Sequence, residues 1–245
     1  MIGSVSPLTA GVLALVALLA ATLAAVTGFG GAAVLLPVLV AAFGVRDAIP
    51  ILTVAQLIGN GSRVWFNRRE LDLAVAGWYS LGAVPFALAG GYLFAAAPLS
   101  ALTRLLGVFM IAVVAWRRLR RAAFPRPSLR GFAAIGAGAS FLSALVGSVG
   151  PLMAPLFLAY GLVKGAYIGT EALATLVTHS AKLFAYGGSA VLSLKAAVTG
   201  LALGPVMVLG SLAGKRIVDR APEHIFVLVI EATMTVAGVL FLIRG

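Results

Sequence analysis

The chain has 245 residues, 62% hydrophobic and 10% charged, with a mean hydropathy of +1.11. Soluble domains run near half apolar and a quarter charged, so this composition excludes an ordinary soluble domain. Lys and Arg number 18 against 7 Asp and Glu, a net +11 that would suggest nucleic acid in a soluble chain and here is sorted by side of a membrane. Zero cysteines exclude disulfides, thiolate catalysis, Fe–S clusters and Cys-based zinc sites, and two histidines leave little for a metal. No metal and no cofactor is expected.

Met1 to Ala10 carries no Lys or Arg, so the first apolar stretch lacks the charged region of a signal peptide and is expected to be a retained transmembrane helix. Gly, Pro and charge clusters divide the chain into apolar segments at 7–26, 31–43, 47–66, 72–97, 99–117, 130–147, 150–161, 164–187, 194–217 and 222–243. Segments 31–43 and 150–161 are too short to cross a bilayer alone; the others are long enough with some tilt. No run shows the apolar/polar alternation of a membrane barrel, which leaves helices to satisfy the backbone in lipid.

The halves of the chain repeat each other. Gly28-Phe29-Gly30-Gly31 precedes Pro37, Gly44 and Thr53; Gly147-Ser148-Val149-Gly150 precedes Pro155, Gly161 and Thr170 in the same order. Gly82, Pro85 and Gly90 likewise find partners in Gly204, Pro205 and Gly210. If every segment counts as a crossing, Arg63, Arg68, Arg69, the Arg-rich link from Arg117 to Arg130, Lys164, Lys215, Arg216 and Arg220 fall on one side. Arg46, Arg104, Lys195 and Arg244 fall on the other, and Lys182 lies within a segment. The positive-inside rule then puts the N-terminus outside. An odd number of segments per half makes the repeats inverted. The expected fold is an all-α polytopic membrane protein of two inverted repeats with about five helical segments each, one of them a short broken helix. Residues 1–118 form the N-terminal repeat, 119–129 a cytoplasmic Arg/Pro linker and 130–245 the C-terminal repeat. The linker charge serves orientation, and nucleic acid is not a partner.

Short helices that start at Gly-rich breaks inside a membrane point free N–H groups and a positive dipole end at whatever lies there. Two such ends make an anion site near the midplane, whereas glycines that only allow close helix packing are the plainer alternative. Glu171, Thr175, Thr178 and Lys182 lie on one helical stripe beside His179, and Gln56, Asn60, Arg63 and Asn67 form its counterpart. Intramembrane ionisable groups usually face an internal cavity. Lys182 or Arg63 could hold an anion's charge, and Glu171 with His179 could bind and release a proton; structural pairing between helices, or snorkelling of Lys182, is the alternative. Glu231, midway along the last segment, is a further candidate for proton coupling or a carboxyl that joins two helices. Trp65, Trp78, Tyr79 and Trp116 fall near segment ends and are expected to be interfacial anchors, with His224 at a loop.

On the Thr27-Gly28-Phe29-Gly30-Gly31 stretch followed by Pro37, and its counterpart from Gly147 to Pro155, the chain resembles the sulfite exporter TauE/SafE family, also called the toluene-sulfonate uptake permeases. The resemblance extends over nearly the whole chain. Ala32 stands where a third glycine is common, and Ser148 and Val149 interrupt the second motif before Pro151. The resemblance implies an inner-membrane permease for sulfite, sulfonates or related small sulfur-containing anions, with the lipid bilayer as its surroundings and protons as candidate coupling ions. The expected binding residues are Thr27, Gly28, Phe29, Gly30, Gly31, Asn60, Arg63, Gly147, Ser148, Val149, Gly150 and Lys182. An uncoupled anion channel would use the same helix ends. An intramembrane hydrolase built on Ser143 or Ser148 with His179 would need a nucleophile elbow, and no Gly-x-Ser-x-Gly occurs.

Overall fold

The computed structural model describes residues 6–119, 124–217 and 223–244. Arg120, Arg121 and Arg220 lie outside the described residues, as do the side chains of His224 and Arg244. Among the described residues the elements are α1 (Pro7–Thr27), α2 (Gly31–Phe66), α3 (Leu73–Ala96), α4 (Leu99–Leu119), α5 (Gly131–Val146), α6 (Gly150–Tyr160), α7 (Lys164–Gly188), α8 (Leu194–Ile217) and α9 (Glu223–Arg244). Five of them, α1, α2, α3, α4 and α8, are long and apolar enough to cross a membrane. The 25-residue α7 has the length but carries buried Glu171, His179 and Lys182.

Local chemistry sets the ends. Ser6 caps α1, its hydroxyl accepting from Thr9 N at 3.1 Å, and Pro7 fills the first turn, where a missing N–H costs nothing. Asp72 caps α3 by accepting from Val75 N at 3.0 Å. The α1 and α5 helices stop at Gly28 (φ 76°) and Gly147 (φ 87°), left-handed conformations that only glycine takes without strain. The break expected between segments 31–43 and 47–66 is present inside α2, whose two arms meet at Gly44, where φ 75° and ψ 164° leave the helical region.

Small residues set the spacing of the bundle. A Cβ on Gly90 would fall 2.6 Å from the Phe141 carbonyl oxygen, and one on Gly210 would fall 2.5 Å from that of Leu18. The α3/α5 and α1/α8 pairs therefore pack backbone to backbone, as small residues permit in lipid. Leu19, Leu81, Phe86, Leu201 and Leu209 are exposed on the outside, the apolar surface a bilayer covers. Tyr79 departs from the interfacial anchor expected of it. It is buried, with its ring centroid 6.0 Å from that of Phe157, because α3 turns this face to the bundle.

The contacts also fix the direction of each helix. Gly82 lies against Ala133 and Gly90 against Phe141, so α3 and α5 run the same way. Asp72 N donates to Thr170 Oγ1 and Gly91 lies against Ala185, which gives α7 that direction too. Gly200 lies against Val54 and Gly204 against Ile58, while Gly210 meets Leu18 and Gly214 meets Ala25, so α1, α8 and the second arm of α2 share a direction. The α2 arm and α7 are antiparallel: Arg63 meets Glu171, and Lys182 bonds Gly147 beside Leu52.

Candidate functional site

Two Gly-rich breaks meet between the antiparallel α2 and α7. Thr27 shapes the first: its hydroxyl donates to the carbonyls of Phe29 (2.6 Å) and Leu23 (2.9 Å) and accepts from Phe29 N. At the second, Gly150 leaves room for Phe29, whose Cβ would be 3.3 Å from a Cβ placed there. Neither N-cap residue, Gly30 for α2 or Val149 for α6, offers a side-chain cap. At α2 this leaves first-turn amides for the interior, whereas at α6 Gly150 N donates to Ser148 Oγ at 3.4 Å, Pro151 has no N–H and Leu152 N donates to the Val149 carbonyl at 2.9 Å.

Between the breaks lies a cavity of about 20 Å³, lined by Gly28, Phe29, Gly30, Gly31, Asn60, Arg63, Ser148, Gly150, Glu171 and His179, together with Gln56 and Thr175. Such a volume holds about one water. Most of the expected binding residues thus come together. Gln56 and Thr175 were visible in the sequence only as members of the polar stripes; the antiparallel register of α2 and α7 is what turns them to the cavity.

The charged groups are held in place by the backbone. Arg63 is 5% exposed. Its Nη1 donates to the carbonyls of Ala24 (3.0 Å) and Gly28 (3.5 Å), its Nη2 donates to Asn60 Oδ1, and Nη1 stands 4.0 Å from Glu171 Oε2. Glu171 Oε1 accepts from Thr175 Oγ1 at 2.9 Å. Lys182 does the equivalent work in the second half. Its Nζ donates to the Gly147 carbonyl at 2.8 Å and to Ser143 Oγ at 3.3 Å. Lys182 is as far beyond Arg63 in the chain as Gly147 is beyond Gly28. Each half therefore places one buried cation on the C-terminal carbonyls of its first helix, where the helix dipole favours positive charge. The halves differ in the counter-charge: Glu171 stands by Arg63, and its counterpart position by Lys182 is Leu52.

Three polar atoms around the cavity are buried without a hydrogen-bond partner: Asn60 Nδ2, Glu171 Oε2 and His179 Nδ1. Buried polar groups are nearly always satisfied, so a cluster of unsatisfied ones marks a place where a polar guest completes the bonding. Of the other expected site residues, Thr27, Gly147 and Lys182 support the breaks from behind, and Val149 lines a small adjoining space with Ser143 and Tyr79. Glu231 lies elsewhere. Its carboxylate pairs with Arg118 Nε (3.1 Å) and Arg117 Nε (3.5 Å) and joins α9 to α4. Glu231→Gln is expected to lower stability by about 1 kcal/mol, in keeping with a partly exposed pair, and to leave transport unchanged. Thermal unfolding in detergent together with an uptake assay checks both.

A second cavity of about 210 Å³ adjoins the first at Arg63 and is lined by Asn67, Glu70, Lys164, Ser211 and Lys215, among others. Its only trace in the sequence is the clustering of basic residues at segment ends.

Comparison with curated proteins and with solved structures gives no match. A family model does match: that of the sulfite exporter TauE/SafE covers residues 13–241, from the second turn of α1 to the last turns of α9. With that span, and with a helical bundle built around paired Gly-rich breaks, the chain belongs to the sulfite exporter TauE/SafE family of multi-pass membrane transporters.

Proposed function

We propose that this protein is a secondary transporter of sulfite or a related small sulfur-containing anion such as a sulfonate or thiosulfate, with the cavity between the two breaks as its binding site. The observation that carries this is the convergence of a buried guanidinium, the unpartnered Asn60 Nδ2 and the uncapped first-turn amides of α2 on one small space. Arg63 presents a planar set of donors, the geometry that suits oxyanions. Room for one water is too little for an anion of four heavy atoms, so the site must widen to load. A site that has to rearrange around its substrate favours a transporter cycle over an open channel.

The repeats, 1–118 and 130–245 joined by a cytoplasmic linker at 119–129, are inverted in this reading. Helix directions support it: α1 and α5 are equivalent in sequence and run oppositely, as do the second arm of α2 and α7, and α3 and α8. The basic clusters at the ends of α2, α4 and α8 support an inner-membrane protein with its N-terminus periplasmic.

Glu171 and His179 are the coupling pair in this scheme. An anion that binds Arg63 competes with Glu171 for the same guanidinium, and protonation of Glu171 releases Arg63 to its substrate. Glu171→Gln is expected to keep sulfite exchange across the membrane and to abolish stimulation by a pH gradient; a variant still driven by the gradient would remove Glu171 from coupling.

Uptake into proteoliposomes of sulfite, thiosulfate, sulfate and a small sulfonate, with and without a pH gradient, tests the proposal. Saturable, gradient-sensitive uptake of one sulfur anion supports it. Unsaturable flux of several anions would show a channel, and absence of flux for all would overturn the substrate class.

A further inference from the structure

The second cavity is not part of the site between the breaks, yet it shares Arg63 with it. Lys215 reaches across from α8 to donate to the Phe66 carbonyl and, at 3.3 Å, to Asn67 Oδ1, which fixes its ammonium at the C-terminal end of α2. Ser211, one turn earlier on α8, is 1% exposed and its Oγ has no hydrogen-bond partner. The first turn of α7 closes another side with Lys164 and Gly165, and its cap residue Val163 offers no side-chain acceptor. The Glu70 carboxylate lies against that turn: a Cβ on Gly165 would come within 2.6 Å of its carboxyl carbon. Glu70 thus stands where an anion would, at a helix N-terminus among cations.

We infer that this cavity is a second anion site, an antechamber where a small oxyanion bound by Lys215, Ser211 and the α7 N-terminus waits before Arg63 passes it inward. The proposal rests on the transporter reading and adds to it a separate loading step. At about 210 Å³ the antechamber has room for a sulfite once the Glu70 side chain turns aside, whereas the inner cavity at about 20 Å³ does not. Arg63 lies on the wall between them, so a swing of one side chain links the sites. Glu70 is the internal competitor: its carboxylate holds the α7 N-terminus when the antechamber is empty, and the arriving anion displaces it.

The test uses the full chain in nanodiscs, with radiolabelled sulfite in equilibrium dialysis, and in proteoliposomes for uptake. The Lys215→Gln/Ser211→Ala double variant is expected to lose one class of bound sulfite and to raise KM about tenfold, the weight of one charge-assisted bond, with the maximal rate kept. Glu70→Gln is expected to do the opposite and lower KM. Opposed shifts from one cavity cannot come from misfolding. Unchanged KM and unchanged sulfite binding in both variants, with wild-type transport intact, would overturn the antechamber alone. A wild type that moves no sulfur anion but binds sulfite in a Lys215-dependent way would overturn the transporter reading and leave the site standing.

Discussion

Replacing Arg63 by methionine is expected to cut uptake efficiency by about 10–100-fold, the weight of one to two charge-assisted hydrogen bonds. The guanidinium is the charged donor that faces both cavities, and an anion in either has it as a partner. The single variant also leaves Glu171 buried beside no cation, which costs about 3–5 kcal/mol and can prevent folding. The double variant Arg63→Met/Glu171→Gln separates the two effects. It removes the uncompensated charge, so detergent-solubilised protein is expected to recover its thermal stability while uptake efficiency stays about 10–100-fold down. Recovery of transport in the double variant would show that Arg63 serves only to neutralise Glu171.

Lys182→Met is expected to leave stability within about 1 kcal/mol of the parent and to reduce uptake at least tenfold. Lys182 is fully buried, no ion pair to it exists among the described residues, and its support comes from the Gly147 carbonyl and Ser143 Oγ. Burial of an ammonium on such terms costs several kcal/mol, so an apolar side chain of similar volume loses little net stability. Transport suffers because the Gly147 carbonyl then keeps only the Ser143 hydroxyl, at 3.3 Å, as its side-chain donor, and the second break is held less firmly opposite the first. Thermal unfolding and uptake measured on the same preparation check the pair of outcomes. A variant that unfolds readily but transports normally once stabilised by ligand would make Lys182 purely structural.

Much of this arrangement was legible in the sequence, and the limits have physical causes. Apolar length located the helices, since lipid leaves the backbone no other solution. Glycine and proline located the breaks, because φ near +80° at Gly28 and Gly147 is a property of the residue itself. The stripes through Asn60 and Arg63, and through Glu171 and His179, identified two faces without their partners. What the polar heads touch depends on register between distant helices, and single-helix spacing carries no information about it. For that reason Arg63 and Lys182 could be named as cations but not seen as caps on the C-terminal ends of α1 and α5. Glu231 illustrates the same limit. It has no charged neighbour in its own helix, and its partners, Arg117 and Arg118, come from α4. The antechamber was out of reach for a further reason: Ser211, Lys215, Glu70 and Gly165 belong to three regions of the chain that only the packed bundle brings together.

The absence of cysteine makes one measurement direct. Ser148 lines the cavity between the breaks, and Ser148→Cys changes a single atom there in an otherwise thiol-free chain. In proteoliposomes, an anionic thiol reagent such as a sulfonate-bearing methanethiosulfonate is expected to label this residue and to stop uptake once attached. Sulfite is expected to slow labelling over the same concentration range in which it saturates transport. Complete labelling with undiminished uptake, or labelling unaffected by sulfite that the protein visibly transports, would contradict a binding site between the two breaks.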